Sequence, residues 1–144
     1  MKNFDFILRL AEVIPSFSQL HAYCDKAEIF QKTFPEESAS NARKALEWLV
    51  RNHLHMANVT LEPRETLNEM LKHPEIDAFI DEDWEFERDM RTVKKIGNYA
   101  SHTGAQEVKK NDAFICLRAL YYVVSGFLFR WRAIQNIVAF DATI

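Results

Sequence analysis

Cysteine is scarce in this chain of 144 residues: there are two, Cys24 and Cys116, far apart and among apolar or helical neighbours. No CxxC spacing and no disulfide framework can be drawn from them, so they read as buried free thiols in a reducing compartment. Glycine and proline are equally sparse, with 3 and 4 residues. An all-β domain needs more turn residues than that, which leaves long helices. There is no excess of positive charge either. Lysine and arginine number 18 against 21 acids, a net charge of −3, which argues against a generally basic nucleic-acid coat and leaves only a local basic face open. Long apolar runs are missing. Asp5 and Arg9 break the N-terminal stretch, so no signal peptide is expected. The longest run, Ala113 to Phe129, contains Arg118 and falls short of the roughly 20 residues that span a bilayer. It reads as a core helix, and the expectation is a cytoplasmic protein with no membrane partner. No P-loop, GxSxG, zinc or Rossmann pattern occurs, and no cofactor or metal is expected.

What is present is one domain's worth of chain, 48% hydrophobic and 27% charged, read as a single helical domain over 1–144. Asn3 to Ile14 forms a short helix or an extended arm ending at Pro15. Ser16 then stands as an N-cap before Phe17, Leu20, Tyr23, Cys24, Ala27 and Phe30, which recur at three and four. That helix stops near Phe34-Pro35. Pro35, Glu36 and Glu37 open the next, with Ala39, Ala42, Leu46, Leu49, Val50, His53 and Leu54 on its apolar face. Arg43, Glu47 and Arg51 step by four on another face, and Arg43 with Glu47 is the expected structural ion pair. Asn58 and Pro63 bracket a loop, and Pro74 splits two short helical pieces, Thr66–Lys72 and Glu75–Ile80. Asp81 or Asp83 caps a helix whose buried side reads Phe86, Met90, Val93, Gly97 and Ala100. Its small residues would let another helix approach closely, and it ends at His102-Thr103-Gly104. Asp112 is expected to cap the last helix, Ala113 to about Ile137, which is apolar nearly all round.

Charge is unevenly placed. Glu75 to Asp89 carries eight acids and one base, Arg88, whereas Arg91 to Arg132 carries eight bases and two acids. Such asymmetry marks either an anionic partner or two halves that attract each other within or between chains.

One segment could carry chemistry. On a helix Arg91, Lys95, Asn98 and His102 step by four, three and four, forming a polar stripe opposite the buried one. Asn98 and His102 lie one turn apart. Lys95 lies roughly 10 Å from His102 along the axis and Arg91 roughly 16 Å. With Lys94 beside them, these residues are candidates for contacting an anion or nucleic acid, and an imidazole near its reference pKa of about 6.5 could move a proton. The alternative is a histidine hydrogen-bonded near a helix C-terminus, where the dipole favours its charged form.

The run Lys95-Ile96-Gly97-Asn98-Tyr99-Ala100-Ser101-His102-Thr103-Gly104 resembles the RKLGN-x-A-x-H-x-G signature of a helical family of restriction-associated domains. These domains stand near the N-terminus of type I restriction enzyme R subunits and in stand-alone bacterial proteins, and they are counted with the HEPN superfamily. Ser40-Asn41-Ala42-Arg43-Lys44-Ala45-Leu46-Glu47 is similar to the family's A-R-x-A-L-E helix, and Asn3-Phe4-Asp5-Phe6 to its usual start. The resemblance implies an all-α, HEPN-like bundle, here read as about five helices. It also implies that His102, with Asn98 and Lys95, is the candidate catalytic set. Many HEPN proteins are ribonucleases in which four to six residues separate an arginine from a catalytic histidine, commonly assembled at a dimer interface. Here Lys95, Ile96 and Gly97 fill that window. Lysine offers a point charge and no bidentate fork, so it clamps a scissile phosphate poorly.

His53 and His55 are two apart and point to different sides of a helix. The acids Asp81 to Asp89 lack a ligand-bearing loop pattern and read as a solvated face. The expected function is therefore a non-catalytic interaction or assembly module of a type I restriction R subunit or a related anti-phage defence protein, either as a domain of a longer chain or as a stand-alone protein. The ending Phe140-Asp141-Ala142-Thr143-Ile144 has no polar tail, which fits a domain boundary. A homodimer or a contact with other subunits is expected, because the apolar last helix has more surface than four neighbours cover. The alternatives are a metal-independent HEPN-type ribonuclease using His102 and a nucleic-acid-binding module acting through the basic 91–132 half.

Overall fold

Proline and the left-handed backbone punctuate the chain. The computed structural model describes residues 2–101 and 107–144. Among these it contains seven helices and no strand: α1 (Phe6–Val13), α2 (Phe17–Phe30), α3 (Pro35–Met56), α4 (Leu67–Met70), α5 (Pro74–Ile80), α6 (Trp84–Ser101) and α7 (Lys110–Arg130). The fold is all-α. Five of the helices have eight or more residues. The two short ones, α4 and α5, are separate elements, which brings the expected five to seven. Pro35 and Pro74 each open a helix, where the missing N–H leaves no bond unmade. Thr66 closes a full capping box with Glu69 at the start of α4.

Helix α3 lies at the centre and touches α2, α6, α7, α4 and α5. Its fully buried face, Ala39, Ala42, Ala45, Leu46, Leu49, Val50 and Leu54, is the stripe read from the sequence with Ala45 added. His53 sits at the rim of that face, partly buried. The small residues Ala39, Ala42 and Ala45 let α2 and α6 come close. At Gly97 of α6 the approach is closest: a Cβ there would stand 2.5 Å from the Cβ of Arg43.

Three boundaries differ from expectation. Ser16 has helical backbone and makes no capping bond, while Ser18 Oγ donates to the Pro15 carbonyl at 2.7 Å. Helix α7 begins at Lys110, so Asp112 lies within its first turn and accepts from the Lys109 N–H at 3.0 Å. The helix also ends at Arg130 rather than near Ile137. Arg132 turns left-handed at φ 61°, and the N–H groups of Arg132 and Ala133 donate to the carbonyls of Phe129 and Leu128. This is the Schellman closure, made without the glycine that normally announces it. Asn58, at φ 62°, closes α3 the same way with His55 and Leu54.

Residues 131–144 fold back as a non-helical strap along α7. Tyr121 Oη donates to the Val138 carbonyl at 2.8 Å, and the Phe140 N–H donates to Tyr122 Oη at 3.0 Å. The Phe140 ring packs on Phe114 and Tyr121. The strap then ties to the N-terminal arm: Asp141 N–H donates to Asn3 Oδ1, and Asn3 Nδ2 to the Asp141 carbonyl. Phe4 and Phe6 cover Tyr121 from the other side. By length and composition α7 could cross a membrane, yet 67% of its most apolar window is buried inside the bundle. The chain itself covers most of its apolar surface, and Phe129 near its end stays exposed.

Candidate functional site

Helix α6 presents the candidate stripe. Asp83 caps it, accepting from the Phe86 N–H at 3.1 Å, while Asp81 instead ends α5 in a left-handed turn. Phe86, Met90, Val93, Ile96 and Gly97 face inward. Arg91 and Lys95 are exposed, and Asn98 is half-buried between the two faces. His102, Thr103 and Gly104 lie outside the described residues, so the proposed meeting of Asn98 with His102 and the end of the helix at Gly104 do too.

The flanking cations are engaged rather than convergent. Arg91 pairs with Glu87 at 2.8 Å, one turn back. Lys94 points across to α4 and donates to Asn68 Oδ1 at 2.6 Å. Lys95 is exposed and makes no ion pair among the described residues.

The residue that sequence reading placed elsewhere is Arg43. Its pairing with Glu47 is as expected, at 2.8 Å. Its stem, however, lies directly over Gly97, with Cδ and Cγ also within 3.2 Å of where a Cβ would be. Its Nε is buried and has no hydrogen-bond partner among the described residues. Thus α3 delivers a guanidinium-bearing side chain to the very turn of α6 that lacks an arginine of its own. Gly97 signalled a close approach; which helix approached, and with which residue, was not encoded locally.

The charge asymmetry resolves within the chain at two points. Arg130, near the end of α7, pairs with Asp83 at 2.8 Å and lies over the Phe86 ring at 4.0 Å. Arg91 closes on Glu87. The Asp83 carboxyl is held below its ordinary range, first by the Phe86 N–H and then by Arg130. Asp89, partly buried beside Arg88, is pushed up by desolvation, which the Arg88 charge only partly offsets. Arg88 itself stacks over Trp84. Between the start of α6 and the end of α7 lies an open cleft of about 260 Å³, lined by Asp83, Asp89, Tyr122, Gly126, Arg130 and Ile137 among others. Around this end of the bundle Trp84, Phe129 and Ile137 are exposed by 65%, 46% and 43%.

His53 and His55 separate as expected, His55 to solvent and His53 into a nest of rings. Among the described residues no three His, Cys, Asp or Glu side chains gather as a metal-binding group. Comparison with protein-family models, curated proteins and solved structures gives no match for this chain.

Proposed function

We propose that this domain is a non-catalytic interaction or assembly module, of the kind its resemblance to restriction-associated HEPN-like domains suggests, working within a type I restriction R subunit or a related anti-phage defence protein. The observation that carries the reading is the exposed end of the bundle. Trp84, Phe129 and Ile137 are exposed around the guanidinium groups of Arg88 and Arg130. Aromatic residues and arginine are the types enriched at protein contact surfaces and among their energetic anchors. The cations around the α6 stripe support the same reading, because Arg43, Arg91 and Arg130 are each closed on a carboxylate.

The test is a photo-crosslinking amino acid placed at position 84 of the full-length native protein in its own cell, with position 64 as the control. A discrete adduct from 84 and none from 64 is expected. Equal, diffuse labelling from both positions would remove the contact surface.

A second reading has one observation in its favour. Arg43, carried on α3 to Gly97 of α6, is a guanidinium from outside the sequence window in which a HEPN ribonuclease holds its arginine. Labelled single-stranded RNA incubated without metal separates the two. The module predicts no cleavage by the wild type. Cleavage lost in both His102→Ala and Arg43→Lys would make the domain a ribonuclease.

A further inference from the structure

Helix α7 and the strap that follows it are joined at Trp131, and Trp131 is held by a histidine. The indole Nε1–H donates to Nδ1 of His53 at 3.1 Å. The two ring planes lie within 11° of each other. An indole nitrogen can only donate. The bond therefore exists only while Nδ1 carries no proton, which fixes the neutral tautomer with its hydrogen on Nε2. Phe79 lies against the imidazole at 3.9 Å between centroids, its ring tilted by 35°, and Phe127 packs edge-on.

We propose that His53 and Trp131 form a pH-sensitive latch on the strap 131–141: a second proton on the ring turns Nδ1 into a donor facing a donor, and Trp131 and the strap come away from the bundle together. The groups around the ring agree with this. On α5, the Glu75 backbone hydrogen bond favours the charged ring, while burial opposes it and prevails, so the histidine is held below its ordinary value. On α7, Arg130 lies over Phe79 and is paired to Asp83 at the start of α6, and on α5 the Glu75 carboxylate keeps Oε2 buried with no hydrogen bond among the described residues. Among the described residues no carboxylate pairs with the His53 ring. A histidine favoured neutral in the folded state contributes fully above its unfolded pKa of about 6.5 and loses that contribution as pH falls below it.

The strap is built to leave without the bundle. Beyond Trp131 it is fastened by the partly buried Ala133 and Ile134, the Val138 carbonyl, the Phe140 N–H, the Phe140 ring and the pair of bonds between Asn3 and Asp141. Ile137 and Val138 point to solvent. Few buried contacts and exposed backbone bonds mark a segment that opens below the global unfolding free energy.

Amide hydrogen exchange followed by NMR between pH 7.5 and 5.0, expressed as protection factors, tests the latch. In the wild type the amides of Ala133, Phe140 and Asp141 should lose protection at least tenfold towards pH 5.0, while those of Leu120 and Val124 in α7 hold. His53→Gln keeps an acceptor for the indole and cannot titrate, so its strap should stay protected across the range. Trp131→Phe removes the donor, so its strap should be unprotected at both ends of the range, with Leu120 and Val124 reporting that the bundle is folded. Wild-type protection that does not change with pH would overturn the latch. So would an equal pH-dependent loss in His53→Gln, which would place the cause outside the latch.

Discussion

Replacing Gly97 by alanine tests the close approach of α3 to α6. The new Cβ would sit 2.5 Å from the Cβ of Arg43, with Cδ and Cγ at 3.1 and 3.2 Å. The long Arg43 stem could swing aside, but its Cβ is fixed to the α3 backbone. Helices α3 and α6 must then part by roughly an ångström to restore van der Waals spacing, loosening neighbouring contacts in a close-packed interior. Overpacking of this kind costs about 1–3 kcal/mol, and a clash between two backbone-anchored carbons belongs at the upper end. Alanine returns about 1 kcal/mol through helix propensity. The net loss is about 2 kcal/mol, which for a domain of this size lowers Tm by about 6–8 °C. Thermal and urea unfolding followed by helical circular dichroism would measure it. The cause is checked by a double-mutant cycle with Arg43→Gly, which removes the offending Cβ. Gly97→Ala should cost less in that background than in the wild type, giving a coupling of about 1–2 kcal/mol. In an Arg43→Ala background, where the Cβ remains, most of the cost should persist. A Gly97→Ala protein as stable as the wild type would refute the close crossing of α3 and α6.

Cys24 and Cys116 are fully buried, and burial pushes the Cys116 thiol up to about 12 and the Cys24 thiol well above its ordinary value. A thiol reagent at pH 8 should therefore find no reactive group in the folded protein and two in denaturant, because only the thiolate attacks. Asp83 caps α6 and holds Arg130, so Asp83→Ala should cost about 1 kcal/mol at neutral pH. Because the folded Asp83 carboxyl titrates below its ordinary 3.8, that contribution is complete above 3.8 and lost as pH falls through the folded value. The stability gap between wild type and variant should accordingly close in acid, as equilibrium unfolding at pH 7 and below pH 3 would show.

The sequence by itself determined the helices and their inward faces. Few glycines and prolines leave little besides helix, Pro35 and Pro74 mark two starts by removing an N–H that has no partner there, and three-four spacing identifies which residues of α3 and α6 point inward. These are local properties, decided within one or two turns of chain. The i,i+4 pair Arg43–Glu47 belongs to the same class. The end of α7 was not legible, because the apolar pattern runs on through Ile134 and Ile137 and the left-handed residue that stops the helix is an arginine. Only the tertiary structure decided which element meets which. It laid Arg43 over Gly97, 54 positions away in sequence, returned Arg130 to Asp83, and set Trp131 against His53. It also laid the chain's own strap and N-terminal arm against Tyr121 and Tyr122 of α7. Those pairings depend on how helix axes cross and on where a strap without periodicity comes to rest. No short-range pattern carries that information, because the partners become neighbours only when the core they share has closed.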